Sequence, residues 1–258
     1  MPELPEVEAA RRALANVAEG QTIARLRLPH PSLAKRVTPA RRRLLAGRVI
    51  ERVERRGKHQ LLHLDDGRTL AIHFRMNGDW DIGMVSDPEP RFTRASLELA
   101  NGTRIALVDS RALSTVELRD KGEGELELGP EPSDPAFNAD TLGVALARRR
   151  GAIKPALLDQ RMIAGLGNIY AAEALWLAKI SPRARAASLS AHRRERLVMA
   201  IREVLANAPA GRYWAERAGS RWNVYDREGE KCPRCGATIK RIVQAGRSTY
   251  YCPVDQKS

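Results

Sequence analysis

The chain has 258 residues, 44 Lys or Arg against 31 Asp or Glu, giving a formal net charge of +13 and a pI near 10.3. A hydrophobic share of 43% excludes wholesale disorder, and 15 Pro with 19 Gly are too few for a low-complexity or collagenous chain. No apolar run reaches the roughly 18 residues of a membrane span, because Met162 to Ile180 is broken by Asn168 and Glu173, so no membrane partner is expected.

The opening Met1-Pro2-Glu3-Leu4-Pro5-Glu6 is acidic and Pro-rich where a secretory signal needs a positive start and an apolar core, which predicts no export. Residues 5–18 predict a helix, with Pro5 and Glu6 suited to its first turn, Val7, Ala10, Leu14 and Val17 as an apolar stripe, and Gly20 as the stop. From Thr22 to about Glu127 the pattern changes to short β-rich runs such as 48–53, 60–64, 69–74 and 96–99. Turn signals at Asp65-Asp66-Gly67 and Asn101-Gly102 separate them, predicting a sandwich or barrel-like β domain. Gly129-Pro130-Glu131-Pro132-Ser133-Asp134-Pro135 reads as a linker, after which helices are predicted over 139–148, 153–163, 168–178 and 190–206. Lys231 to Ser258 is too short for a core of its own and holds all three cysteines, so it needs a staple. An odd cysteine count gives no disulfide framework and points to a reducing cytoplasm.

Charge is unevenly placed. Residues 1–132 hold 22 basic and 20 acidic side chains (+2), and residues 133–258 hold 22 and 11 (+11). Such an excess suits a polyanion, most often nucleic acid, and would equally follow from a general preference for Arg on solvated surfaces.

Three constellations carry chemistry. Removal of Met1 would make Pro2 an N-terminal secondary amine, with a pKa of about 7.7–8.0, nucleophilic near neutral pH. Glu3 stands beside it to move protons and Glu6 one turn away; the same Pro-Glu-Leu-Pro-Glu string is also simply a good helix start. Second, Cys232-Pro-Arg-Cys235 and Cys252-Pro-Val-Asp255 have the spacing of a zinc ribbon, with Asp255 in the fourth place. Zinc on three thiolates and the aspartate, zinc on three thiolates and a water, and a metal-free hairpin all fit that pattern. Third, Leu157 to Leu175 reads as two helices about the Gly165-Leu166-Gly167 turn, either a phosphate seat at Asn168 or an ordinary αα-hairpin. Lys58, His73, Met76, Lys154 and Arg247 are lesser features; Arg247 sits on a predicted ribbon turn, from which it could reach a phosphate.

In their order along the chain these features resemble the formamidopyrimidine-DNA glycosylase family, bifunctional base-excision enzymes related to endonuclease VIII. Met1-Pro-Glu-Leu-Pro-Glu-Val-Glu8 is similar to its N-terminal signature, Gly57-Lys58 to its strand entry and His73-Phe-Arg-Met-Asn-Gly78 to its wedge motif. Leu158-Asp-Gln160 through Gly167-Asn-Ile-Tyr170 is similar to its helix-two-turn-helix, and Cys232 to Gln256 to its zinc finger. Leu4 favours the formamidopyrimidine branch over the endonuclease VIII branch. The resemblance implies an α+β fold: an N-terminal helix with a two-sheet β-sandwich over 1–132, a helix-two-turn-helix domain over 133–225 and a zinc-ribbon hairpin over 226–258. It also implies a monomeric cytoplasmic enzyme acting on double-stranded DNA with damaged bases, and one structural zinc on Cys232, Cys235, Cys252 and Asp255.

By the same resemblance Pro2 is the nucleophile at sugar C1′, Glu3 the proton shuttle and Lys58 a sugar and phosphate contact with a supporting catalytic role. His73, Asn168 and Arg247, helped by Lys154, seat phosphates around the extruded nucleotide. Met76 fills the gap in the stack, Arg111 holds the orphaned base and Leu113 acts as a wedge. Three features depart from the family pattern. Asp109-Ser-Arg-Ala-Leu-Ser114 has Leu113 in place of an aromatic intercalator, the segment Asn207 to Glu230 is shorter than the usual lesion-capping loop, and Asp255 replaces a cysteine. Oxidised purines are the expected substrates; oxidised pyrimidines or bare abasic sites are the alternative within the class. A non-enzymatic zinc-ribbon protein that binds damaged DNA is the alternative outside it.

Overall fold

A computed structural model describes residues 2–124, 126–208 and 222–257. Helix α1 (Leu4–Ala18) begins one residue earlier than the apolar stripe predicts, with Pro5 in its first turn, where a missing N–H costs nothing. Its stripe of Val7, Leu14 and Ala18 is buried. Strand β1 (Ile23–Arg27) follows, then two short helices the hydrophobic pattern did not reveal, α2 (Pro31–Ala34) and α3 (Pro39–Arg43), each opened by a proline. Both are too short to show a period.

Seven further strands complete this part: β2 (Ile50–Arg56), β3 (His59–Leu64), β4 (Thr69–His73), β5 (Asp79–Met84), β6 (Thr93–Leu99), β7 (Thr103–Val108) and β8 (Thr115–Arg119). They form two four-stranded antiparallel sheets, ordered β1-β6-β7-β5 and β2-β3-β4-β8. In β3 burial alternates residue by residue, as a strand with one face on a core requires. Leu62 and Ile72 from one sheet and Leu97 and Leu107 from the other join Leu14 of α1 in a single apolar cluster, so α1 is held by the core of the sandwich. Gly67 and Gly102 take left-handed φ values of 84° at the two turns the sequence marks.

A second compact unit, described over residues 127–208 and 222–257, contains the helices and the hairpin together. Its helices are α4 (Ala139–Ala147), α5 (Ile153–Leu157), α6 (Asn168–Leu177) and α7 (Ala191–Ala206), and its hairpin pairs β9 (Lys240–Gln244) with β10 (Arg247–Tyr251). The helix predicted over 153–163 stops at Leu157. Side chains beyond it take over the backbone: Gln160 Nε2 donates to the carbonyls of Leu158 and Leu166, its Oε1 accepts from Gly165 N–H, and Asp159 accepts from Arg161 N–H. Helix α6 is apolar nearly all round because it is enclosed, with Trp176 packed in a cluster that includes Val224, Ile239 and Tyr250 of the hairpin region. No helix among the described residues is long and apolar enough to cross a membrane.

Candidate active site and nucleic-acid interface

Pro2 and Glu3 are buried where α1 begins, Glu3 with only 1% of its surface exposed. Glu3 is the N-cap residue, and its backbone N–H donates to Glu6 Oε2 at 2.9 Å. The two carboxylates form a capping box, Glu3 accepting from the Glu6 backbone N–H as Glu6 accepts from that of Glu3, and Glu3 is the carboxylate directly beside Pro2. Lys58 is buried in the two-residue turn joining β2 to β3, where Gly57 takes the left-handed φ of 57° that such a turn needs at its first position. Arg55 ties the helix to this turn: its Nε donates to Glu8 Oε2 at 3.0 Å and its Nη1 to the Gly57 carbonyl at 3.2 Å. Burial raises the Glu8 pKa, but hydrogen bonds from Arg11, Arg12 and Arg55 outweigh it and hold the carboxyl down at about 2. Glu8 stays ionised, and the N-terminal residues and Lys58 are fixed to one frame.

His73 ends β4 opposite His59 on β3, their rings meeting edge to face with centroids 4.6 Å apart. Burial first, then the positive surroundings of His59, Arg75 and Lys58, push the His73 pKa down to about 3. Its Nδ1 accepts the Arg75 backbone N–H at 2.9 Å, which leaves the ring proton on Nε2. A neutral imidazole with a fixed Nε2–H is a donor suited to a phosphate oxygen. Because the folded pKa lies below the usual 6.5, the folded state binds fewer protons than the unfolded one. Stability contributed by neutral His73 is complete above about pH 6.5 and is lost as pH falls toward 3. His73→Gln will therefore flatten the fall in stability between pH 6.5 and 4, measured by urea unfolding at a series of pH values; an unchanged slope would show that His73 is not the group titrating.

Two loops form a second cluster in the same unit. Met76 and Leu113 are both exposed, at 36% and 43%, which leaves two apolar side chains accessible on neighbouring loops. Asp109, fully buried, shapes the second loop by accepting from the N–H groups of Arg111 (2.9 Å), Leu113 (2.7 Å) and Ser114 (2.8 Å). Burial raises its pKa, and the hydrogen bonds from Ser114, Arg111 and Leu113 lower it further than burial raises it. Asn77 Nδ2 donates to Ser110 Oγ at 3.1 Å, joining the two loops. Gly78 is required for the fit, since a Cβ there would lie 2.7 Å from Ser114 Oγ and 2.8 Å from the Phe74 backbone. Met76, Arg111 and Leu113 thus stand on one braced rim.

In the second unit Lys154, 1% exposed, donates from Nζ to Asn168 Oδ1 at 2.5 Å, Thr249 Oγ1 at 2.8 Å and the Ser248 carbonyl at 3.1 Å. Asn168 Nδ2 also donates to the Ser248 carbonyl at 3.1 Å. Lys154 accordingly joins α5, the start of α6 and β10. The adjoining Arg247 is exposed, directly after the turn Ala245-Gly246, whose two residues both have positive φ.

At the base of the hairpin the sulfurs of Cys232, Cys235 and Cys252 all lie within 4.8 Å of one another. Trp176 Nε1–H donates to Cys232 Sγ at 3.4 Å and Asp255 N–H to Cys252 Sγ at 3.4 Å, the bonds that favour thiolates. Burial opposes ionisation of both Cys232 and Cys252; the indole and the backbone N–H groups of Arg234 and Cys235 bring Cys232 down to about 7, whereas burial and the neighbouring thiols hold Cys252 up at about 11. Three converging soft donors with N–H groups aimed at them fit zinc. Asp255 is not in this group; its carboxylate pairs with Arg234.

Family models match three successive parts of the chain: the formamidopyrimidine-DNA glycosylase N-terminal domain over residues 1–116, its H2TH domain over 128–213, and a zinc finger found in FPG and IleRS over 229–257. A formamidopyrimidine-DNA glycosylase of Chloroflexus aurantiacus is 44% identical over 99% of this chain and 98% of its own length. One from Novosphingobium aromaticivorans is 40% identical over the whole of both. The chain belongs to the formamidopyrimidine-DNA glycosylase family. Among solved structures, the Lactococcus lactis formamidopyrimidine-DNA glycosylase non-covalently bound to DNA containing an AP site superposes with a TM-score of 0.90 at 33% identity, over 99% of this chain and 100% of that one. MutM in complex with carbocyclic 8-oxo-G containing DNA gives a TM-score of 0.91 at 33% identity, with both chains covered completely.

Membership of this glycosylase family, with its zinc finger model and the three-cysteine cluster, gives the hairpin a structural zinc. Cys232, Cys235 and Cys252 would hold it, and the metal supplies the staple that so short a segment needs. Sequence reasoning overlooked several residues that build the site. Arg55 carries no spacing signal, Glu8 reads only as an acidic residue of the N-terminal signature, and His59 gives no signal until pairing puts it opposite His73. Glu173 was noticed only as a break in an apolar run, yet a carboxylate in an otherwise buried helix face is itself a signal. It is 2% exposed and accepts from the N–H groups of Asn223, Val224 and Tyr225, each at 2.9 Å. Most of the Asn207–Glu230 segment, read from the sequence as a short lesion-capping loop, lies outside the described residues.

Proposed function

We propose that this family member is a DNA glycosylase and abasic-site lyase that removes oxidised purines, formamidopyrimidines and 8-oxoguanine among them, and that Pro2 carries the covalent step. Family membership along the whole chain, with Pro2 and Glu3 in register at the start of α1, carries the reading. After loss of Met1 the Pro2 nitrogen attacks C1′ of the damaged nucleotide and the base leaves with a proton. The sugar ring opens as Glu3 passes a proton to its oxygen, giving an iminium between Pro2 and C1′. The iminium withdraws electrons, so a proton is lost from C2′ and the 3′-phosphate departs; a second elimination releases the 5′-phosphate. Lys58 steadies the sugar and its phosphate.

Chemistry on a base requires taking it out of the duplex, at a cost of a few kcal/mol. Met76 and Leu113 offset that cost by filling the stack, and Arg111 holds the orphaned base. Phosphate contacts come from His73 in the first unit and from Asn168 and Arg247 in the second, with Lys154 orienting Asn168 from beneath. The enzyme acts as a monomer in the cytosol, where the chromosome is.

Borohydride trapping tests the reading. Full-length protein beginning at Pro2, mixed with duplexes carrying 8-oxoguanine, a formamidopyrimidine or an oxidised pyrimidine, will form a covalent adduct faster with the two purine lesions than with the pyrimidine, and an abasic-site duplex, which needs no base loss, reports the lyase step alone. Faster trapping on the pyrimidine lesion would shift the assignment to oxidised pyrimidines, and no adduct with any duplex would leave only a DNA-binding protein.

A further inference from the structure

The metal site differs from a four-cysteine ribbon in its second knuckle, Cys252-Pro253-Val254-Asp255, and the structure shows what Asp255 does instead. The donor atoms that converge are the three sulfurs. The Asp255 carboxylate is engaged by Nη1 of Arg234, a residue of the first knuckle, Cys232-Pro233-Arg234-Cys235. Arg234 is itself fixed from below. Its guanidinium carbon lies 3.9 Å from the centroid of the Trp176 ring, and Nη1 also donates to the Trp176 carbonyl at 3.0 Å. The same indole donates to Cys232 Sγ, so one aromatic side chain supports both a zinc ligand and the cation that holds Asp255.

Charge favours this division of labour. Zinc with three thiolates already carries one negative charge, and a carboxylate on the metal would make it two beside a single guanidinium. A carboxylate is also a harder donor than a thiolate, a poorer match for a sulfur-rich zinc site than for Arg.

We infer that three thiolates hold the zinc, that its fourth position is left to solvent, and that the Arg234–Asp255 ion pair supplies the link between the knuckles that a fourth protein ligand would otherwise supply. Asp255 and Arg234 are then positioning residues. The fourth position accepts a small soft or borderline donor from solution, such as imidazole or a thiol. The claim rests on the zinc finger and not on the reaction at Pro2, and its test reads the metal.

Full-length protein reconstituted with cobalt(II) in place of zinc provides the signature. Asp255→Asn will leave the cobalt bands where they are. Asp255→Cys will move them and raise the thiolate-to-cobalt charge-transfer intensity by about one third, a fourth thiolate added to three. Imidazole will shift the bands of the unaltered protein and not those of Asp255→Cys. In competition with a chromophoric chelator, Asp255→Asn and Arg234→Lys will each speed zinc release about 3- to 10-fold, and the double variant no more than the worse single one. Cobalt bands that move in Asp255→Asn, with zinc release unchanged or slower in Arg234→Lys, would make Asp255 a ligand and overturn the inference. Should Asp255→Asn not fold, Arg234→Lys decides alone, since unaltered zinc release there also overturns it.

Discussion

Protein that retains Met1 will lose strand nicking by more than about a thousandfold and give no borohydride adduct, the scale of loss expected when a covalent nucleophile is removed. Met1 turns the Pro2 nitrogen into a tertiary amide with no lone pair to give, while leaving α1 and the sandwich core intact. A proline amine attacks only when neutral, so nicking by the processed form rises with pH as that amine loses its proton. Pro2→Gly keeps a terminal amine and will retain measurable trapping; Glu3→Gln keeps the amine but not the proton donor for ring opening, and will slow adduct formation and nicking together. The comparison is made by mass spectrometry of each N-terminus alongside single-turnover nicking of an abasic-site duplex. Equal rates with and without Met1 would remove Pro2 from the mechanism.

Glu173→Ala will destabilise the second unit by about 2–4 kcal/mol, because it takes one charged, buried acceptor away from one buried donor and three partly buried ones. Glu173 Oε1 accepts from Val224 and Tyr225 N–H, and Oε2 from Asn223 N–H and Nδ2, all at 2.9 Å. These residues lead into the hairpin: Tyr225 meets Tyr250 edge to face with centroids 5.3 Å apart, and Tyr250 Oη donates to Asp226 at 3.1 Å. Loosening that base releases Arg247 from its position, so affinity for an abasic-site duplex will fall about tenfold or more at fixed salt, part of it through lost phosphate contact. Glu173→Gln keeps one carbonyl oxygen but turns an amide N–H2 against N–H donors, and will lose about 1–2 kcal/mol. Thermal denaturation with and without a zinc chelator separates the hairpin from the rest. Equal stability of Glu173→Ala and the parent would show that solvent replaces the carboxylate at no cost.

Which elements form was legible wherever a local pattern exists. The stripe of α1, the alternation of β3 and the Gly-bearing turns at Gly67 and Gly102 are written in short windows, and they came out within a residue or two. The helix drawn over 153–163 failed at Leu157 because Gln160 and Asp159 divert the backbone with their side chains, a competition that apolar spacing does not register. Likewise α2 and α3 are single turns with no period to detect.

The sequence by itself determined the chemistry available: an amine-forming Pro2, a neighbouring Glu3, three cysteines at ribbon spacing and a basic second half. Those are properties of residue type and of short spacing, fixed by covalent order. Only the tertiary structure decided how they are held. Strand pairing set His73 against His59, the fold brought Arg55 between Glu8 and Gly57, and Lys154 turned inward to bind Asn168 and the hairpin. It also gave Asp255 to Arg234 and not to the cysteine cluster. Each of these depends on contacts between residues far apart in the chain, or on which of two nearby partners a charged group meets, and packing settles both where spacing is silent.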